Sequence, residues 1–282
     1  MADLREIGKR NTDSEVDPAP TSKQVRGRGV HRKGIYILPN LLTTAGLFSG
    51  FFAIVQATKG QYEIAAIAIF IAMIMDGLDG RVARMTETSS DFGVEYDSLT
   101  DMVAFGLTPA LVIYEWSLSS LGKLGWLAAF LYVAATALRL ARFNTQKVAD
   151  KRYFQGLPSP AAAAVLAAFV WLMESYQLGN KQLAILALVV TVATALAMVS
   201  NIGYRSFKDL DLKDKVPFVG LIFLVFTFVI IAFDPPLVLF VIFGGYFLSG
   251  IVGMLMRMRR NGSKGAGKWW KAATGESRNG PD

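Results

Sequence analysis

The chain has 282 residues, 53% hydrophobic and 18% charged, with a mean hydropathy of +0.39, a balance that excludes an ordinary water-soluble globule. Its 29 Lys and Arg against 22 Asp and Glu leave +7, a value equally suited to a nucleic acid, an anionic membrane surface or an anionic substrate. With no cysteine, a disulfide frame, a thiolate nucleophile and a zinc–thiolate site are all excluded.

Residues 1–33 are polar, carry mixed charge with Pro18 and Pro20, and predict a disordered basic arm. His31, the single histidine, sits at its edge as part of a basic juxtamembrane segment. The apolar run that follows, 34–58, is too long for the core of a signal peptide and lacks a small-residue cleavage pattern, so the segment is expected to be retained. Four further stretches free of Asp, Glu, Lys and Arg follow at 153–173, 182–204, 216–233 and 235–256, each of about the length that crosses ~30 Å of hydrocarbon. Between Glu63 and Arg139 the apolar pieces are shorter, and spanning helices there must continue through polar residues, over 61–86, 97–119 and 124–144. The sequence therefore predicts an all-α polytopic membrane protein of eight helices. Residues 257–282 form a basic, aromatic tail with Trp269 and Trp270 among the cations, suited to anionic lipid rather than nucleic acid.

Cations concentrate in cytoplasmic segments. With the N-terminus inside, 26 of the 29 Lys and Arg fall on the cytoplasmic side, and only Lys59, Lys123 and Lys181 fall outside. Both termini are expected in the cytoplasm, as an even number of helices requires.

Residues 76–101, DGLDGRVARMTETSSDFGVEYDSLTD, hold seven of the 22 acids. Carboxylates at membrane depth are costly, and they normally face a cavity and serve a site. Asp76 and Asp79 are three apart, Asp97 and Asp101 four apart, so each pair shares one helix face. Two antiparallel helices joined by a short cytoplasmic loop converge the four carboxylates at the membrane edge. Such a set, without His or Cys, suits hard cations such as Mg²⁺, Mn²⁺ or Ca²⁺. A metal pair of this kind typically clamps a pyrophosphate or phosphodiester. Gly80, Ala83 and Gly93 allow a ligand close to the backbone, and Arg84 offers a forked cation for phosphate.

Asp76-x2-Asp79-Gly80-x2-Ala83-Arg84-x8-Gly93-x3-Asp97-x3-Asp101 resembles, at all eight positions, the signature of the CDP-alcohol phosphotransferase family. The resemblance implies a six-helix membrane core, here 34–204, that is usually a homodimer, with the helices at 216–233 and 235–256 additional. It implies that Asp76, Asp79, Asp97 and Asp101 hold two divalent cations, Mg²⁺ or Mn²⁺, and that Asp101 also accepts the proton of the attacking alcohol. Gly80, Ala83, Arg84 and Gly93 would line the pocket for the CDP group. CMP would leave by direct attack, with no covalent enzyme intermediate.

The acceptor alcohol is read from other segments. LPNLLTTAGLFSG at 38–50, DSLTDMVAFGLTPA at 97–110, ALRLARFN at 137–144, FQGLPSPAAAA at 154–164 and MVSNIGYRSFK at 198–208 resemble the bacterial integral-membrane phosphatidylserine synthase branch of the family. The implied substrates are CDP-diacylglycerol and L-serine, in the inner membrane with the site facing the cytoplasm. One departure is Gly46, where many relatives carry asparagine; Gly46 and Gly50 read as a small-xxx-small helix contact. Arg139 and Arg142, three apart on one face near Asn144, are candidates to hold the serine carboxylate or a lipid phosphate, with positive-inside anchoring as the competing role. Ser159, between two prolines, is expected to mark a helix start. Other acceptors, namely glycerol 3-phosphate, inositol phosphate or choline, fit the same chemistry. A membrane prenyltransferase would need Asp-rich motifs in two distant helices, and a transporter or lipid-binding protein would release no CMP.

Overall fold

The computed structural model describes residues 37–86, 90–145, 153–178, 182–205 and 218–273, and the arm at 1–33 lies outside them. Helix α1 covers Ile37–Thr58 and α2 Tyr62–Met85. Helix α3, Asp91–Asp101, runs without a break into a π-helical turn, Met102–Leu107, and α4, Thr108–Trp116. Helix α5 is Lys123–Thr145, α6 Ser159–Ser175, α7 Ala184–Val199, α8 Phe218–Phe233 and α9 Pro235–Ala273. By length and composition, Ile37–Thr58, Lys123–Thr145 and Pro235–Met256 can each cross a membrane, and α6 and α7 are shorter apolar helices. The all-α, multi-pass expectation is met.

Several boundaries differ from those of the charge-free stretches and expected helices. The third helix begins at Asp91, not at 97, because Ser90 caps it: its Oγ accepts from the Gly93 amide at 3.0 Å, and Asp91 places negative charge at the positive helix end. Within the charge-free stretch 153–173 the helix occupies only Ser159 onward, as the prolines flanking Ser159 predict, because Gly156 takes φ +81° and Pro158 turns the chain into the helix. The residues before it instead form strand β1, Tyr153–Gln155, which pairs antiparallel with β2, Gly203–Arg205. This two-stranded sheet satisfies backbone groups of two segments that the all-helical reading treated as helix ends. The last helix does not stop at 256 but continues to Ala273. At about 1.5 Å per residue it is far longer than ~30 Å of hydrocarbon requires.

Helix α6 lies at the centre, with twelve of its 17 residues buried, and packs on α2 and α9. Its core is alanine: Ala162, Ala163, Ala164, Ala167 and Ala168 are at most 1% exposed. Such small side chains let membrane helices approach closely where lipid gives no hydrophobic drive to associate. The same logic applies where α1 crosses the π turn. A Cβ on Gly50 would lie 3.1 Å from Ala104 Cα and 3.2 Å from Thr108 Oγ1, a tight contact that glycine relieves. At Gly46 a Cβ would meet its nearest neighbours at 3.7 Å, an ordinary contact, so the small-xxx-small reading holds for Gly50 alone.

The π turn has a local cause. Pro109 has no N–H to offer the carbonyl of Phe105, four residues back. That carbonyl is taken instead by the buried Tyr132 hydroxyl of α5 at 3.1 Å. Thr108 Oγ1 donates to Val103 O at 2.9 Å, five residues back, and reaches Gly50 O at 3.2 Å. At the other end of the bundle, Trp116 and Trp171 donate to Glu174 and Glu63 at 3.0 and 3.1 Å, placing aromatic polar edges together as at a membrane interface.

Candidate active site

The last turns of α2 carry Asp76, Asp79, Gly80, Ala83 and Arg84, and α3 carries Gly93, Asp97 and Asp101. The helical spacing does bring the two acid pairs together. One carboxylate oxygen from each of Asp76, Asp97 and Asp101 lies within 4.8 Å of the others. Asp79 is set slightly apart and is 5% exposed. Its Oδ2 accepts from Thr43 Oγ1 of α1 at 2.8 Å, and that hydroxyl also reaches the Pro39 carbonyl at 3.0 Å.

All four acids border one narrow gap, closed on its other sides by Gly46, Ala72, Thr100, Ala104 and Phe105. Like charges packed this tightly against apolar walls cannot all ionise without a compensating cation. The donor set is hard oxygen throughout, and the buried Thr100 hydroxyl beside it has no partner among the described residues. These residues fit a magnesium-type ion. A ligand fixed by Thr43 is the outer-sphere support that metal-binding carboxylates usually have.

A second cavity of about 170 Å³ opens next to the acids, between α1, α2 and α3. It joins Asp79 and Asp97 to Gly80, Ala83 and Gly93, three of the four residues expected to receive the CDP group. No atom stands within 4 Å of a Cβ placed on Gly80, so its small size leaves open cavity rather than helix packing. Gly93 is different: a Cβ there would meet Ser90 Oγ at 3.2 Å and Asn40 Oδ1 at 3.4 Å. Arg84, the fourth, is not on the cavity wall; its Nε donates to the Gly80 carbonyl at 2.7 Å. Pro39, Asn40, Thr43 and Ser90 complete the wall. They lie in the LPNLLTT segment and at the α3 cap, and uncharged side chains gave no chemical signal in the sequence.

Of the three residues expected at the acceptor, Arg139 lies within electrostatic reach of Asp101. Its Nη1 donates to the buried Ser159 Oγ at 2.7 Å, and its buried Nε has no partner among the described residues. Ser159 therefore marks the helix start, as expected, and also holds the arginine. Arg142 points elsewhere, with Nη2 donating to Gln155 Oε1 at 2.6 Å and Asn201 Oδ1 at 2.7 Å beside the two-stranded sheet. Asn144 Nδ2 donates to Ser98 Oγ at 3.0 Å, linking α5 to the acidic helix.

A family model described as CDP-alcohol phosphatidyltransferase matches residues 36–200. The chain is 38% identical over 227 residues to the CDP-diacylglycerol--serine O-phosphatidyltransferase of Helicobacter pylori, covering 79% of this chain and 93% of that protein. It is 42% identical over 142 residues to the Mycobacterium tuberculosis protein of the same name, 48% of this chain and 49% of that one. An archaetidylserine synthase of Methanothermobacter thermautotrophicus is 34% identical over 169 residues, 59% of this chain and 69% of that protein.

Proposed function

Because the chain belongs to the CDP-alcohol phosphatidyltransferase family, we infer that it transfers the phosphatidyl group of CDP-diacylglycerol to the hydroxyl of L-serine, giving phosphatidylserine and CMP. The observation that carries the acceptor is similarity along almost the whole length of a serine-using relative, 93% of the Helicobacter protein. Serine also recurs in the names of the mycobacterial and archaeal relatives.

The chemistry assigned to the site is a direct displacement at phosphorus. Asp76, Asp79, Asp97 and Asp101 would hold two divalent cations, Mg²⁺ or Mn²⁺, which when bound supply positive charge against the pyrophosphate. Asp101, the acid beside Arg139, takes the proton of the serine hydroxyl as its oxygen forms the new P–O bond. The bond from that phosphorus to the bridging oxygen of the pyrophosphate breaks, and CMP departs with the electron pair. The cavity at Gly80, Ala83 and Gly93 receives the CDP group, with Arg84 one turn along the same helix face. Arg139 receives the serine carboxylate on the side of the base. Arg142 and Asn144 border that region, and the bonds they make to Gln155, Asn201 and Ser98 fit them to shape it rather than to bind the acceptor directly.

The cation count supports a site on the cytoplasmic side of the inner membrane, with both termini there and the basic ends at 1–33 and 257–282 flanking the bundle. Residues 34–204 form the catalytic six-helix core, and 205–256 supply a connection and the two further helices. A homodimer is the assembly that the family resemblance implies, and membrane lipids are the remaining partners.

The decisive assay incubates detergent-solubilised protein with CDP-diacylglycerol, Mn²⁺ or Mg²⁺ and a panel of alcohols, reading CMP and the lipid product. Phosphatidylserine formed only with serine and metal is the expected result. Product only with another alcohol would remove serine as the acceptor.

A further inference from the structure

Helices α8 and α9 lie beyond the residues matched by the family model, yet α9 is packed along central α6 and against β2. The contact with β2 is specific. The Tyr204 ring is 1% exposed and sits over Gly250 of α9, where any Cβ would overlap ring atoms. Its hydroxyl donates to the Phe247 carbonyl at 3.3 Å, and its ring meets that of Tyr246 with centroids 5.5 Å apart at 47°.

From this aromatic pair the structure leads to Arg142 at the sheet and to Arg139 beside the base. Strand β2 is paired to β1, with Gln155 opposite Gly203 and the Gly156 amide donating to Ile202 O at 2.8 Å. Gln155 and Asn201, at the edge of that sheet, are the residues that accept from Arg142. On its other side the pair brings Tyr246 within electrostatic reach of Arg139, the cation held by Ser159 and keeping one buried N–H without a partner among the described residues.

We propose that α9 is a wall of the acceptor site, and that Tyr204 and Tyr246, seated at Gly250, are positioning residues for Arg139 and Arg142. The proposal rests on the acceptor role given to Arg139 above. The acceptor is a small zwitterion with few atoms, so its binding depends on charges already in place. An arginine side chain carries about 2 kcal/mol of rotamer entropy, and a scaffold that removes this beforehand favours a ligand too small to order the site itself. The cavity for the CDP group is bordered by α1, α2 and α3, so disturbance of the α9 contact is expected to separate the two substrates.

The test measures KM for serine and for CDP-diacylglycerol, with kcat, in Gly250→Val, Tyr246→Phe and Tyr204→Phe. The introduced isopropyl group of Gly250→Val would fill the seat of the Tyr204 ring; the expected result is a rise in serine KM of about tenfold or more, with the KM for CDP-diacylglycerol within about twofold of wild type. Tyr246→Phe, which keeps the ring against Tyr204 and removes the hydroxyl within electrostatic reach of Arg139, is expected to raise serine KM several-fold in the same one-sided way. Tyr204→Phe keeps the seated ring and stays near wild type. An unchanged serine KM in folded Gly250→Val, or a parallel rise for both substrates, overturns the proposal. If Gly250→Val does not fold, Tyr246→Phe decides by the same criterion. A wild type that ignores serine but uses another alcohol sinks the serine assignment instead; the same variants are then read on that alcohol, and an unaltered KM for it overturns the role of α9.

Discussion

Replacing Tyr132 by Phe removes one hydroxyl from a fully buried ring and takes its 3.1 Å side-chain donor from the Phe105 carbonyl. The usual substitute, the amide four residues on, does not exist because that residue is Pro109. A buried acceptor stripped of its partner costs about 1–3 kcal/mol, whereas side-chain hydrogen bonds between membrane helices average about 0.6 kcal/mol because the unfolded chain finds other partners. With the amide four residues on missing here, about 1–2 kcal/mol is the expected loss. The carbonyl belongs to the π turn that begins immediately after Asp101, and such turns recur at functional sites because they set the rotation of the residues beside them. If about 1 kcal/mol of the loss falls on the arrangement of the carboxylates, the apparent affinity for Mn²⁺ drops about fivefold. Thermal unfolding in detergent across a Mn²⁺ titration reads both quantities. A variant that melts and binds Mn²⁺ like wild type refutes the role given to Tyr132; one that melts lower with an unchanged Mn²⁺ titration refutes the coupling to Asp101.

Thr43→Val preserves shape but deletes the 2.8 Å bond to Asp79. A hydrogen bond to a charged group contributes about 1.5–3 kcal/mol, so metal affinity should fall roughly tenfold or more, read by metal-dependent thermal shift. Ser159→Ala leaves the Arg139 guanidinium with a second N–H unpaired, and the expected outcome is a serine KM raised about tenfold with little change for CDP-diacylglycerol. Gly50→Val drives a side chain into Ala104 and Thr108 at a contact that already stands at 3.1 Å for a Cβ, and should lower the melting temperature by several degrees or abolish folded protein, read by size exclusion and melting. Chelation should stop CMP release and lower the melting temperature, and added Mn²⁺ should restore both.

The acidic site was legible because its logic is local. Asp76, Asp79, Asp97 and Asp101 keep helical spacing within 26 residues flanked by apolar sequence, and two neighbouring helices suffice to bring them to one gap. The glycines at 80 and 93 were legible for the same reason, although only Gly80 leaves open cavity. What escaped depends on contacts distant in sequence. Thr43 gains meaning only when α1 crosses α2 and its hydroxyl meets an acid 36 residues away. Arg139 and Arg142 look equivalent at three-residue spacing, yet one turns to Ser159 inside the bundle and the other to the β1–β2 edge. That sheet has three residues per strand, too short for an alternating pattern to be visible. The early start of α3 was legible in principle, since Ser90 followed by Asp91 is an N-cap signal.

The most direct test of the catalytic account is serine-dependent CMP release from CDP-diacylglycerol by the wild type and by Asp101→Asn, side by side in Mn²⁺, with phosphatidylserine measured in the same samples. The wild type should form CMP and phosphatidylserine in equal amounts, and folded Asp101→Asn should form neither at a measurable rate. Persistent, stoichiometric product from Asp101→Asn would contradict the assignment of Asp101 as both ligand and base.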